Sequence, residues 1–215
     1  MPEEEKNEDV LNKDLSDPVA IPKSGIDRAV EIMRSGRLFR YGEFAGGISE
    51  VAKLEREFAE YMGCKYAVAM NSCGSTMFIA LKCAGIKSGD KVLINAFTLA
   101  PVPGAIEHAG ARPVFVDIER ETFNIDPNQI EKNITDKTRA IIPVHLYGQS
   151  VNMDPILELA RKNNLVVIED AAQAIGSEYK GRRAGSMGDY GCFSFFPTKN
   201  LGGFGDGGMV TMSSE

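Results

Sequence analysis

Two side chains twenty-nine positions apart carry the chemistry of this 215-residue chain, Asp170 and Lys199. Asp170 closes the run Val166-Val167-Ile168-Glu169, which places it at the carboxyl end of a parallel strand, the edge where open α/β sheets bind ligands. Lys199 lies between the aromatics Phe193, Phe195 and Phe196 and the glycines Gly202, Gly203, Gly205, Gly207 and Gly208. An amine that condenses with an aldehyde, and a buried acid that pairs with a pyridine nitrogen, are the two groups needed to hold pyridoxal 5'-phosphate (PLP). Burial among Phe193, Phe195, Phe196 and Leu201 would favour the uncharged, nucleophilic amine. The glycines would let a planar ring lie against backbone. Plainer roles stand beside these. An arbitrary lysine is a surface group, and Asp170 with Gln173 could cap the helix-forming AAQAIG segment. Gln173 could otherwise hydrogen-bond the cofactor's phenolic oxygen.

A phosphate needs N–H donors and hydroxyls. The turn Asn71-Ser72-Cys73-Gly74-Ser75-Thr76 falls between a strand and a helix, where small residues expose backbone N–H groups at a helix N-terminus. Gly74 and Ser75 are the candidates there, and Ser194 supplies a second hydroxyl on the strand leading to Lys199. The same turn would serve as an ordinary cap. Phe97 could stack on the ring or pack into the core. Gly203-Phe204-Gly205-Asp206-Gly207-Gly208 matches GxGxxG in spelling, but a strand, Met209–Met212, follows it rather than a helix, so a dinucleotide fingerprint is rejected.

The elements that would position these groups alternate. Apolar runs at Tyr66–Met70, Lys91–Ile94, Pro113–Val116, Ala140–Val144 and Val166–Ile168 are separated by helical patterns at Ser75–Ala84, Pro101–His108, Pro127–Ile134 and Met153–Lys162. Two more strands are expected at Cys192–Phe195 and Gly208–Met212. Ahead of them stand helices at Ile26–Arg34 and Ser49–Met62, the second with Val51, Leu54, Phe58 and Tyr61 on one face and Ser49 as N-cap. This predicts an α/β fold, a mostly parallel sheet covered by helices on both faces. Residues 1–25 are expected to be an acidic, mobile tail and 26–215 one cofactor-binding domain. The chain stops at Glu215, directly after a strand, so a truncated domain is expected.

Bulk properties exclude several classes. The net charge is -6, but residues 1–17 hold seven acids against two lysines, leaving a near-neutral body that offers no nucleic-acid surface. No apolar run is long enough to cross a bilayer, and the acidic start is unlike a secretory signal, so a cytoplasmic protein without a membrane partner is expected. Four cysteines with no CxxC pair and two histidines, His108 and His145, give no metal-ligand spacing.

The segments VAKLEREFAEYMG, GARPVFVDI, AIIPVHLYGQ, IEDAAQAIGSEYKG and GDYGCFSFFPTKNLGGFGDGG together resemble the DegT/DnrJ-type aminotransferases, from about Ile26 to the last residue. The resemblance implies the aspartate-aminotransferase fold, a large PLP domain followed by a smaller C-terminal domain that this chain lacks, and a homodimer. It implies transamination of a keto group on a nucleotide sugar, with an amino-acid donor, usually glutamate. By position, Lys199 is similar to the lysine of the internal aldimine, Asp170 to the pyridinium partner, Gln173 to the residue near the phenolic oxygen, Ser194 to a phosphate-binding serine and Phe97 to the stacking aromatic. The family often has threonine where Gly74 stands, so that one hydroxyl contact is either missing or displaced to Ser75, and a histidine where Ile175 stands. Related sugar dehydratases replace the lysine with histidine, and Lys199 argues against that chemistry. A PLP-fold regulatory or assembly protein without turnover is the alternative outside enzymology.

Overall fold

The computed structural model describes residues 20–41 and 47–213. The acidic lead of residues 1–17 and the chain end at Glu215 lie outside the described residues. The chain divides between Leu38 and Phe39 into two compact units. The first carries helix α1 (Lys23–Ser35), which begins three residues before the predicted start and ends where Gly36 turns left-handed (φ 68°). None of its residues is buried.

The second unit runs α2 (Glu50–Met62), β1 (Tyr66–Met70), α3 (Cys73–Cys83), β2 (Lys91–Asn95), α4 (Pro101–His108), β3 (Arg112–Val116), α5 (Pro127–Asn133), β4 (Thr138–Ile142), α6 (Met153–Asn163), β5 (Val166–Asp170), β6 (Glu178–Tyr179), β7 (Arg182–Arg183), β8 (Tyr190–Ser194) and β9 (Gly208–Met212). Seven strands form one sheet in the order β1-β9-β8-β5-β4-β2-β3. Strands β8, β5, β4, β2 and β3 are parallel, and β9 is antiparallel to both its neighbours. The sheet is mostly parallel, as the alternation predicted.

Strand composition explains why both faces are covered. Along β2, Val92 and Ile94 join one apolar cluster with Met77 and Leu81 of α3 and Val102 and Ile106 of α4. Leu93, between them, joins a cluster with Ile130 of α5 and Ile156 of α6 on the opposite face. β4 splits the same way, Ala140 and Ile142 against Ile141, and β5 puts Ile168 opposite Val167. Side chains alternate across a strand, so a strand apolar at every position must be buried twice.

Two expectations need correction. The apolar face of α2 is rotated from the predicted one: Leu54 and Tyr61 are exposed, and the buried residues are Glu55, Phe58, Ala59 and Met62. Phe58 packs edge-on against Phe193 (centroids 5.0 Å), while Glu55 accepts the Ala69 N–H at 2.8 Å and an ion pair from Arg40, so the helix turns a carboxylate inward. Strand β4 starts and ends two residues before the predicted run. Pro143 interrupts its ladder, and Val144 keeps only an isolated bridge to Asp170. The short β6–β7 hairpin, turning through Lys180 (φ 51°) and Gly181 (φ 75°), was not anticipated.

Candidate active site

The carboxyl ends of the parallel strands and the N-terminus of α3 enclose a cavity of about 430 Å³, within the usual range for small-ligand sites. Among its lining residues are Ser72, Cys73 and Gly74 from the β1–α3 turn, Asp170 and Ala172 from the end of β5, Ser194 from the end of β8, and Lys199 from the loop beyond. Four of the predicted site residues, Asp170, Lys199, Ser194 and Gly74, therefore face one space.

Asp170 sits on β5, the middle strand of the sheet. Its backbone is bonded twice to the segment that continues β4: its N–H donates to Pro143 O (2.9 Å) and its carbonyl accepts from His145 N (3.0 Å). Its Oδ1 accepts the Ala172 N–H at 3.1 Å. Burial pushes the carboxyl up to about 6, against the opposing pull of that N–H and of the Lys199 charge. An acid in this condition is poised to pair with a cation brought to it.

Lys199 is half-buried, and its backbone N–H closes a turn onto Phe196 O (2.9 Å). The apolar packing expected around it is only partly formed. Phe193 is buried under Gly185 and against Phe58, but Phe196 and Leu201 are each 48% exposed. The loop from 195 to 207 is pinned at its base, where Phe195 N donates to Gly207 O (2.8 Å) and Phe195 O accepts from Gly203 N (2.7 Å).

Ser72 caps α3, accepting the Ser75 N–H at 3.2 Å and donating to the Ser75 hydroxyl at 3.1 Å. Ser194 is buried at the end of β8, its Oγ accepting the Phe196 N–H at 3.3 Å. Strand β9 presses against the turn at Gly208, where a Cβ would lie 2.6 Å from Ser72 C and 2.8 Å from Cys73 N. Gly208→Ala must push that turn outward. The expected outcome is a loss of about 1–3 kcal/mol in a urea melt, with weaker inhibition of PLP binding by inorganic phosphate; an unchanged phosphate competition would separate the strand from the anion site.

Three predicted residues lie off this cavity. Ser75 lines an adjoining hollow of about 520 Å³ with Gly74, Phe78 and His108. Phe97 is 43% exposed, its ring 5.6 Å from that of Phe123, and Leu99 lines the cavity in its neighbourhood. Gln173 accepts the N–H of Tyr147 at 2.8 Å, which fixes a residue in left-handed conformation (φ 52°).

A buried group beside the cavity has no sequence signal of its own. Glu169, adjacent to Asp170 and on the other face of β5, is fully buried with His145. As a carboxylate it accepts four donors: His145 Nε2 (2.8 Å), Gly185 N (2.8 Å), Met187 N (2.6 Å) and Gly188 N (2.6 Å). His145 Nδ1 accepts the Val151 N–H at 3.1 Å, so Nε2 bears the hydrogen donated to Glu169. An EDAA sequence shows two acids at a strand end, but not that alternation sends them to different environments.

The residues fit PLP on structural grounds. A buried acid that gains from meeting a cation, a half-buried amine and a helix N-terminus with exposed donors all face a cavity of suitable volume. Among the described residues no cluster of His, Cys, Asp and Glu could hold a metal ion, and no helix is long and apolar enough to cross a membrane.

Known proteins resemble this chain in sequence and in fold. The chain is 47% identical over 203 residues to a protein named pleiotropic regulatory protein from Geobacillus stearothermophilus, covering 94% of this chain and 53% of that one. It is 42% identical over 189 residues to GDP-perosamine synthase of Caulobacter vibrioides, covering 88% and 49%. The structure superposes on Spr1654 from Streptococcus pneumoniae, solved in PLP and PMP forms, with a TM-score of 0.84 and 31% identity, over 92% of this chain and 52% of that one. The chain thus spans about half the length of the curated relatives it matches. Residues 21–215 match the family profile, and the chain belongs to the DegT/DnrJ/EryC1/StrS aminotransferase family.

Proposed function

We propose that the protein to which this chain belongs transfers an amino group from an amino-acid donor, glutamate, to a keto group of a nucleotide sugar, with PLP attached to Lys199. The supporting observation is the cavity shared by Lys199, Asp170, Ser194 and Gly74 at the carboxyl edge of the sheet. When bound, PLP supplies an aldehyde carbon that takes up an amine nitrogen with loss of water, and a protonated ring that accepts electrons. The chain's own residues do the rest. Asp170 holds the proton on the ring nitrogen and fixes the ring's orientation. Ser194, the Gly74 N–H at the start of α3 and the Ser75 hydroxyl would receive the phosphate. Lys199 Nζ would take the proton from the donor's α-carbon and, in the second half of the reaction, deliver one to the sugar carbon that receives nitrogen. Gln173 and Phe97 would flank the ring, which asks both to turn toward the cavity, Gln173 from its bond to Tyr147 N and Phe97 from its place beside Phe123.

We read residues 26–215 as the large cofactor-binding domain and the working assembly as a homodimer. The sugar reading is supported by GDP-perosamine synthase, whose name states a product sugar of that class.

The test uses the full-length protein with PLP. Wild type is expected to show visible absorbance that borohydride converts to a stable adduct on Lys199, and to form 2-oxoglutarate from glutamate when a keto nucleotide sugar is present. Lys199→Ala is expected to lose the adduct and the product together. An adduct elsewhere in wild type, or equal turnover in the variant, overturns the reading. The regulatory name carried by the Geobacillus relative favours a second reading, a PLP-binding regulator. That reading is distinguished by the Lys199 adduct forming without 2-oxoglutarate for any sugar offered.

A further inference from the structure

We infer that Asn200 is a positioning residue that ties the Lys199 loop to the turn following Asp170, and so sets how readily Lys199 holds the cofactor covalently; the inference rests on the PLP reading above. Lys199 and Asp170 belong to different parts of the chain. Asp170 is fixed by the sheet, because β5 is hydrogen-bonded on both sides. The turn after it is also compact: Ala171 N donates to Cys192 O (2.9 Å), Ala174 N to Ala171 O (3.0 Å) and Ser177 N to Ala174 O (3.0 Å). Lys199, by contrast, lies about midway along a loop whose base is pinned at Phe195, and whose Phe196, Thr198 and Leu201 are exposed.

Asn200 joins the two. Its Nδ2 donates to the carbonyl of Ile175 at 2.7 Å, across twenty-five positions of sequence. The bond lies one residue from Lys199 and five from Asp170, and it links the two walls of the cavity on which these side chains stand. A loop atom without such a tether samples a wider volume, and covalent attachment to a ring already held elsewhere then becomes less favourable, because effective concentration falls as the freedom of the tethered group rises. The phosphate turn and Asp170 do not depend on the tether, so total cofactor binding should respond less than covalent attachment. That split distinguishes positioning from general damage.

The experiment compares full-length wild type with Asn200→Ala and Asn200→Asp. Asn200→Asp is the stronger variant, since it turns a donor into a charge facing the Ile175 carbonyl. Two quantities are read: the ratio of borohydride-trapped to total bound PLP, and amide exchange of the 196–203 segment in the cofactor-free protein. Loss of one hydrogen bond is expected to lower the ratio about 2–10-fold and to speed exchange by a similar factor, with exchange in β5 unchanged. Asn200→Gln, which keeps the donor amide, should recover part of both. Wild-type exchange and a wild-type trapping ratio in Asn200→Asp would overturn the inference. If wild type itself traps no PLP on Lys199, the function proposed above fails, while the exchange measurement still decides whether Asn200 restrains the loop.

Discussion

Glu169→Gln is expected to destabilise the cofactor-free protein by about 3–5 kcal/mol, the cost of leaving about two buried donors without partners. The isostere keeps the shape and loses the acceptors. In wild type each carboxylate oxygen receives two donors, His145 Nε2 and Gly185 N on one, Met187 N and Gly188 N on the other. An amide has one oxygen. If its NH2 replaces Oε1, it faces two backbone N–H groups that cannot adapt. If it replaces Oε2, it faces Gly185 N, and His145 can accommodate it only by changing tautomer and giving up the Val151 bond. Either way buried donors are left without partners. For a domain of this size the loss corresponds to a fall in melting temperature of roughly 6–20 °C. Equilibrium urea melts of both proteins at neutral pH measure it. A variant within 0.5 kcal/mol of wild type would show that the turn from Gly185 to Gly188 does not depend on this acid.

The sheet was legible in the sequence because its strands are short, apolar at successive positions and separated by helical patterns. Leu93, Ile141 and Val167 have neighbours in the strand that face the other way, and each demands its own layer of helices. The α2 face was misread for a physical reason. Leu54 and Tyr61 look like core residues by type, yet Glu55 is drawn inward by the Ala69 N–H and Arg40. A pattern of apolar residues carries no information about a carboxylate with partners fourteen and fifteen positions away. The β6–β7 hairpin had only half a signal between Tyr179 and Arg182, since Gly181 takes positive φ readily while Lys180, also at positive φ, is of a type that seldom does. For the site, strand ends and a glycine-rich loop could be located in one dimension, and Asp170, Ser194, Gly74 and Lys199 do face a common cavity. The relation of His145 to Glu169, twenty-four positions apart, and of Asn200 to Ile175 exists only once the chain is folded.

Asp170→Asn is expected to do two opposite things, stabilising the empty protein at alkaline pH while weakening its hold on the cofactor. The folded carboxyl titrates near 6 against an ordinary value of 3.8, chiefly because burial penalises its charge. Below 3.8 the acid is neutral in both folded and unfolded chains and imposes no penalty. As pH rises from there to about 6, the unfolded chain releases its proton first, so folded stability falls by 1.36 kcal/mol per unit. Above 6 the loss is complete, at about 3 kcal/mol. Asparagine does not ionise, and its Oδ1 can still accept the Ala172 N–H. The cofactor-free variant should therefore exceed wild type by about 3 kcal/mol at pH 8, the gap closing as pH falls toward 4. In the presence of PLP most of that gap should close, because only the carboxylate can pair with a protonated ring nitrogen. Loss of a hydrogen bond between charged groups corresponds to on the order of 10–100-fold weaker retention. Thermal melts with and without PLP across pH 4–8 read both effects in one series. A variant less stable than wild type at pH 8 without PLP would mean that Asp170 is not held against its own desolvation. Equal stabilisation of both proteins by PLP would remove Asp170 from the cofactor site.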